Sequence, residues 1–173
     1  EDREFNNGQP MLVIQCEEGE EELHPDRFPL KSKTTVVTID SEDRLTEGHL
    51  LSLTKAHKPA RIIVEYNGMW LLDTLFRQMP QNWIIAQEYL FCDAGTFVSY
   101  NANMRQFVYD KLKTCELVVF NRCRDDIDRM ALHKIVRAAN RRADIAYEKP
   151  DGTVEYDEIE DPLPFDLEAP VVD

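Results

Sequence analysis

Arg61-Ile62-Ile63-Val64-Glu65-Tyr66-Asn67-Gly68 is the stretch whose reading decides the fold. Ile62, Ile63 and Val64 follow one another without polar alternation, which suits a β-strand covered on both faces, as in a parallel α/β sheet. Glu65 then stands at the carboxyl end of that strand, and Gly68 breaks the run. Ligands of open α/β sheets bind at that edge, so a carboxylate followed by a turn marks a candidate site. Taken alone, the stretch reads more simply as a strand ending in polar residues.

Working outward, strands and helices alternate. Upstream, Pro10 to Gln15 is a short apolar run expected to form a buried strand, and Thr34 to Ile39 is β-branched and strand-like. Thr46 is placed to cap a helix carrying Leu50, Leu51 and Leu53 inward and stopping before Pro59. Downstream, Trp70, Leu71, Leu72, Leu75 and Phe76 have helical spacing, closed by Met79-Pro80. Trp83 to Cys92 reads as an extended segment ending in Asp93-Ala94. Thr96 to Thr114 reads as one helix with Phe97, Met104, Phe107, Val108 and Leu112 inside. Glu116 to Asn121 is a buried strand, after which Asp125 and Asp126 open a helix with Ile127, Met130, Ile135 and Val136 as its stripe. Ala143 to Glu148 is strand-like again, and Lys149-Pro150-Asp151-Gly152 is a turn that folds Thr153 to Tyr156 back as a C-terminal β-hairpin. The alternation implies an α/β fold with a doubly wound, mostly parallel sheet. Residues 1–156 are expected to form the domain, and 157–173 an acidic, proline-containing tail along the surface.

The chain of 173 residues is long enough for one domain with a real core. A formal net charge of -13 argues against a nucleic-acid surface, which needs clustered Lys and Arg, and favours cations, basic partners or nucleotides bridged by a metal. Cys16, Cys92, Cys115 and Cys123 lie far apart with no CxxC pair; most sit in apolar runs, as reduced buried thiols do. With no bilayer-spanning run and no signal-peptide pattern, the expected location is the cytoplasm, without membrane insertion. Glu1 to Gly8 reads as the last turn of a helix closing on Asn7-Gly8.

Four expected strand ends carry polar groups: Glu17 to Glu20, Glu65 with Gly68, Asp93, and Asn121. Parallel strands would bring all four to one edge, where acids, glycine and amide can surround a charged ligand. Each also has a plainer reading. The acidic run Glu17-Glu18-Gly19-Glu20-Glu21-Glu22 suits a solvated loop, Asp93 suits a helix cap, and His49, His57 and His133 suit surface or satisfied positions. Trp70 and Trp83 suit the core. Cys16 with Glu17, Glu20 and His24 matches no closed zinc spacing.

The order of these motifs resembles the CobW-like metal-associated P-loop GTPases, the group that also holds the hydrogenase and urease nickel-insertion GTPases. That family's Asn-Glu-Phe-Gly-Glu is answered by Cys16-Glu17-Glu18-Gly19-Glu20, its Glu-x-x-Gly by Glu65-Tyr66-Asn67-Gly68, and its strand-ending Asp-Ala by Asp93-Ala94. Its Gln-Leu-x-x-Ala-Asp is answered by Lys111 to Glu116, its Asn-Lys-x-Asp by Asn121-Arg122-Cys123-Arg124, and its Leu-Asn-Pro-x-Ala by Ala139 to Ala143. The resemblance spans Pro10 to Tyr147. It implies a P-loop GTPase fold and Mg²⁺ with GTP, in preference to ATP. Glu65 would lie on the Mg²⁺ side, the Gly68 amide at the terminal phosphate, Asn121 and Arg122 at the base, and Glu17 and Glu20 in a switch region responsive to Mg²⁺ or a transported metal.

Three departures shape the expectation. The phosphate-binding Gly-x-x-x-x-Gly-Lys-Ser/Thr loop is absent from the sequence, so the implied domain lacks its first strand, that loop and most of the first helix, and the chain alone should not hydrolyse nucleotide efficiently. Arg124 replaces the aspartate that reads guanine, with Asp125 or Asp126 as substitutes after a shift. The family's CxCC metal motif is missing, leaving Cys16, the glutamates and His24 for Zn²⁺ or another transition metal. The leading reading is a GTPase domain serving metal delivery to a protein. The alternative is a non-catalytic acidic module binding metal or a basic partner, and self-association through a sheet edge is a third possibility.

Overall fold

The computed structural model describes residues 7–17, 28 and 31–159, so Glu20 and His24 lie outside the described residues. The fold is mixed α/β built on parallel strands, as the alternation implies, and it divides into two units, Glu1–Ile85 and Ala86–Asp173.

In the first unit, β1 (Met11–Gln15) lies between β2 (Thr34–Thr38) and β3 (Arg61–Glu65), all parallel. The first four residues of β1 are buried, as a central strand requires. Helix α1 (Glu47–His57) begins where expected because Thr46 Oγ1 accepts the His49 amide at 3.3 Å. It ends on Lys58, whose φ of 45° is a left-handed cap. Leu50 and Leu53 of α1, Leu75 of α2 (Leu72–Gln78), and both tryptophans join Leu12, Ile14, Ile62 and Val64 in one core cluster. The opening stretch departs from expectation here. Ile62 and Val64 face that core, but Ile63 is 39% exposed and β3 pairs only with β1. Among the described residues β3 is an edge strand, and its apolar run does not imply cover on both faces.

In the second unit the strand order is β4 (Tyr89–Asp93), β5 (Leu117–Asn121), β6 (Asp144–Glu148) and β7 (Val154–Tyr156). The first three are parallel, and β7 runs antiparallel to β6. Val118 and Phe120 of β5 and Ile145 and Tyr147 of β6 meet Phe97 of α3 (Phe97–Asn103), Val108 and Leu112 of α4 (Arg105–Leu112), and Leu132 and Val136 of α5 (Arg129–Ala139). All three helices therefore cover the same face of the sheet.

Several local expectations are corrected. The extended segment begins at Tyr89 rather than Trp83; Ile84 is 90% exposed, so apolarity there does not mark a strand. The single helix over 96–114 breaks at Met104 (φ -128°, ψ 40°), where Asn103 turns its side chain onto Ser99 O. Helix α5 starts four residues after Asp125, because Asp128 rather than Asp125 or Asp126 accepts the Ala131 amide. Its stripe is accordingly rotated: Leu132, His133 and Val136 are buried, while Met130 is exposed.

Of the expected surface tail, 160–173 lie outside the described residues, and its first residue departs from expectation: the Asp157 side chain is buried, accepting the Tyr147 hydroxyl at 2.9 Å on one oxygen and lying 2.6 Å from His133 Nδ1 on the other. His133 thus has a satisfied core role. Arg129 lies 4.6 Å from the Tyr147 ring centroid and pairs with Glu155 at 2.9 Å, so the network ties α5, β6 and β7 together.

Candidate functional site

At the carboxyl ends of β1 and β3 the first unit gathers Cys16, Glu17, Glu65 and Gly68. The parallel ladder continues one residue past β1, with Cys16 N donating to Glu65 O at 2.8 Å. The Asn67 side chain then fixes the turn, donating from Nδ2 to Cys16 O at 3.3 Å while Oδ1 accepts the Met69 amide at 2.8 Å. This leaves the Gly68 amide pointing at a carboxylate: it donates to Glu17 Oε2 at 3.0 Å. Glu65 ends β3 with its side chain exposed. The Cys16 thiol is buried, and burial together with the negative charge of Glu65 pushes its pKa up to about 11.

The second unit gathers Asp93, Asn121 and Arg122 at the ends of β4 and β5, where Asp93 and Asn121 are in register. Asp93 closes the turn that leads into α3, whose own N-cap, Thr96, makes no side-chain cap hydrogen bond. Asp93 Oδ1 accepts the amides of Gly95 (2.9 Å) and Thr96 (3.1 Å) and the Thr96 hydroxyl (3.3 Å). Its Oδ2 accepts Arg122 at 3.1 Å. Burial alone would raise the Asp93 pKa, but these donors, Arg122 foremost, outweigh it and hold the carboxyl below the usual range. Arg122 has φ 52°, in the left-handed region that non-glycine residues avoid. Asn121 Oδ1 is shielded from solvent and has no hydrogen-bond partner among the described residues. A buried acceptor of that kind costs about 1–3 kcal/mol until a donor reaches it.

Arg124 and Asp126 form a closed pair close by: Nε and Nη2 of the guanidinium donate to the two carboxylate oxygens at 3.1 and 3.5 Å. That bonding holds the Asp126 carboxyl below its usual range. The charge of Asp93 also reaches Arg124, and that of Asp125 reaches Lys149.

The sequence reading thus located Glu17, Glu65, Gly68, Asp93, Asn121 and Arg122 at strand ends, and the structure brings them together within their own units. It missed two partners. Asn67 organises the turn before Gly68, for which the Asn-Gly pair was the available signal. The Arg124–Asp126 fork removes Asp126 as a free acceptor, which no local sequence rule announces. The remaining cysteines pack: Cys115 and Cys123 are buried, and burial pushes the thiols of Cys92 and Cys115 up to about 12 and about 11.

Among the described residues no group of three His, Cys, Asp or Glu side chains is arranged to hold a metal ion, and no helix is long and apolar enough to cross a membrane. Comparison of the chain with protein-family models, with curated proteins and with solved structures gave no match.

Proposed function

We propose that this chain is part of a nucleotide-binding domain of the CobW-like GTPase type, acting on a purine nucleoside triphosphate with Mg²⁺, and that the phosphate loop is supplied N-terminal to β1 in a longer protein. The observation that carries the reading is the Gly68 amide. It sits in a cinched turn just after an exposed strand-end carboxylate and already donates to an anionic oxygen, that of Glu17. A phosphate oxygen asks the same of an amide.

The donor set fits Mg²⁺ held largely through its waters. Glu65 and Glu17 offer hard carboxylate oxygens, and neither is sequestered by a lysine or arginine pair among the described ion pairs. Bound there, Mg²⁺ would neutralise charge on the phosphates. The chain's own contribution is placement: the Asn67 turn holds the Gly68 amide, and Glu65 fixes the cation side. Zn²⁺ fits less well, because Cys16 is a buried thiol held protonated. The resemblance to the CobW-like family implies coupling to metal delivery or to a metal-accepting protein.

The test is a protein extended upstream through a phosphate loop. Mg²⁺-dependent hydrolysis that falls on Glu65→Ala supports the reading. An extended, folded protein that binds neither ATP nor GTP removes it.

A further inference from the structure

We infer that the uncovered face of the second unit's sheet docks an amphipathic helix flanked by lysine and arginine, supplied by a partner protein. The inference concerns this face alone and does not rest on the nucleotide reading.

Alternation along a strand divides its residues between the two faces of the sheet. Leu90, Cys92, Val118, Phe120, Ile145 and Tyr147 share one core with residues of α3, α4 and α5. The residues between them point the other way, where the second unit places no helix among the described residues. The register joins that face into one apolar row: Phe91 stands opposite Val119, Val119 opposite Ala146, and Ala146 opposite Tyr156. Its two outer members are the open ones, Phe91 being 64% and Tyr156 65% exposed. Tyr89 and Val154 widen the patch on the same outer strands, and both are exposed.

A row of this kind asks for a helix. Parallel strands such as β4, β5 and β6 are apolar on both sides and lie between helical layers, and here one layer is present. Four strands about 4.8 Å apart make the row about 14 Å wide. A helix with its side chains is about 10–12 Å across, so the row seats one helix and not two.

Charge fixes the chemistry of that helix. Asp144 and Glu148 stand at the two ends of β6 on the same face as Ala146, and neither joins the described ion pairs. Asp93, at the end of β4, is already held by Arg122. No strand of this sheet contains Lys or Arg. An apolar stripe laid on the row therefore meets free carboxylates at its borders, and Lys or Arg beside the stripe would pair with them. Other occupants meet like charge. A second copy brings a formal charge of -13 against -13, and residues 160–173 carry acids at 160, 161, 166, 168 and 173 with no Lys or Arg.

The experiment titrates the 173-residue chain, at a concentration where it sediments as a monomer, with two helical peptides of about 18 residues, long enough to hold a helix. Each has a leucine stripe, flanked by lysines in one and by glutamates in the other. The lysine peptide should bind at least about tenfold more tightly, and amide NMR shifts should move in β4 to β7 and stay in α3, α4 and α5. Phe91→Glu separates docking from mere attraction of opposite charges. It adds a negative charge, so attraction alone predicts tighter binding of the lysine peptide. Docking on the row predicts binding weakened about tenfold or more, because a phenyl contact is lost. Tyr156→Glu, on the opposite outer strand, should do the same. Both side chains are exposed, so both variants should keep the wild-type circular dichroism and melting temperature. Unchanged or tighter binding in these variants, shifts centred on the helices, or binding of neither peptide overturns the docking face. Equal binding of the two peptides overturns the basic partner.

Discussion

The two strand-end clusters use the same residue types to opposite effect. In the first unit Glu65 ends β3 exposed and Glu17 reaches back to a backbone amide, and neither is among the carboxylates that the described ion pairs join to an arginine, such as Asp40 with Arg44. In the second unit Asp93 is held by Arg122 and by the turn that leads into α3, and Asp126 is held by Arg124. The first cluster is therefore an acceptor surface suited to a cation or to exchanging one anionic oxygen for another. In the second, arginines already hold two of the carboxylates. Acidity counted along the sequence does not separate them, because what differs is whether an arginine lies two or twenty-nine residues away.

The largest effect that would sharpen this contrast is catalytic. In an upstream-extended protein, Glu65→Ala should lower Mg²⁺-dependent turnover on the order of 10²-fold or more, the scale of losing a preorganised electrostatic contact. A matched Asp126→Ala, at an exposed ion pair of the second unit, should change turnover far less. Steady-state kinetics with both nucleotides would separate them; equal losses would erase the distinction between the clusters.

Next comes stability, where the units should part company. Asp157→Ala removes the buried partner of His133 and Tyr147 and should destabilise the second unit by about 3–5 kcal/mol, as breaking a buried hydrogen-bonded pair does. The chain's two tryptophans, Trp70 and Trp83, both lie in the first unit. Urea unfolding should therefore show an earlier circular-dichroism transition with the tryptophan fluorescence transition little moved. If both probes shift together, the two units do not unfold separately.

Smaller is the turn at Asp93. Asp93→Asn keeps an acceptor for the Gly95 and Thr96 amides but loses the charge facing Arg122, and should cost about 0.2–1 kcal/mol, the worth of an exposed ion pair. Its pH signature is fixed in sign. The folded pKa is depressed, so the contribution is fully present above the unfolded value of about 4 and is lost as pH falls through the lower folded value. The variant should lose less stability than wild type between neutral pH and that acid range. A parallel loss in both proteins would remove Asp93 as the cause.

Smallest is self-association. Phe91, 64% exposed on β4, marks a strand that pairs on one side only among the described residues. Sedimentation at two concentrations should show weak association that strengthens with salt, since -13 charges per chain repel, and that Phe91→Lys abolishes. A concentration-independent sedimentation coefficient contradicts it.

Much of the fold was legible because local rules agreed with tertiary context. Thr46 capped its helix where the pattern placed the start, and the apolar runs at 11–15, 34–38, 61–65 and 117–121 all became parallel strands. The failures have physical causes. Ile84 and Ile85 are apolar but exposed, so hydrophobicity overstated a strand. Met130 looked like a stripe residue until the Asp128 cap reset the helix phase. Asp157 looked like solvent-facing tail because its partners, His133 and Tyr147, are distant in sequence. At the site, strand-end carboxylates were readable from position alone. Which of them were already occupied was not, since Arg122 reaches Asp93 across twenty-nine residues.

In the proposed site the turn after Arg61 to Glu65 presents the Gly68 amide and Glu65 to a phosphate and its cation. The most direct measurement is calorimetric titration of the upstream-extended protein with Mg·ATP and Mg·GTP. Binding of at least one nucleotide, weakened by Glu65→Ala and dependent on Mg²⁺, is the expected result. A folded protein that binds neither, or whose binding is indifferent to Glu65 and to Mg²⁺, would contradict it.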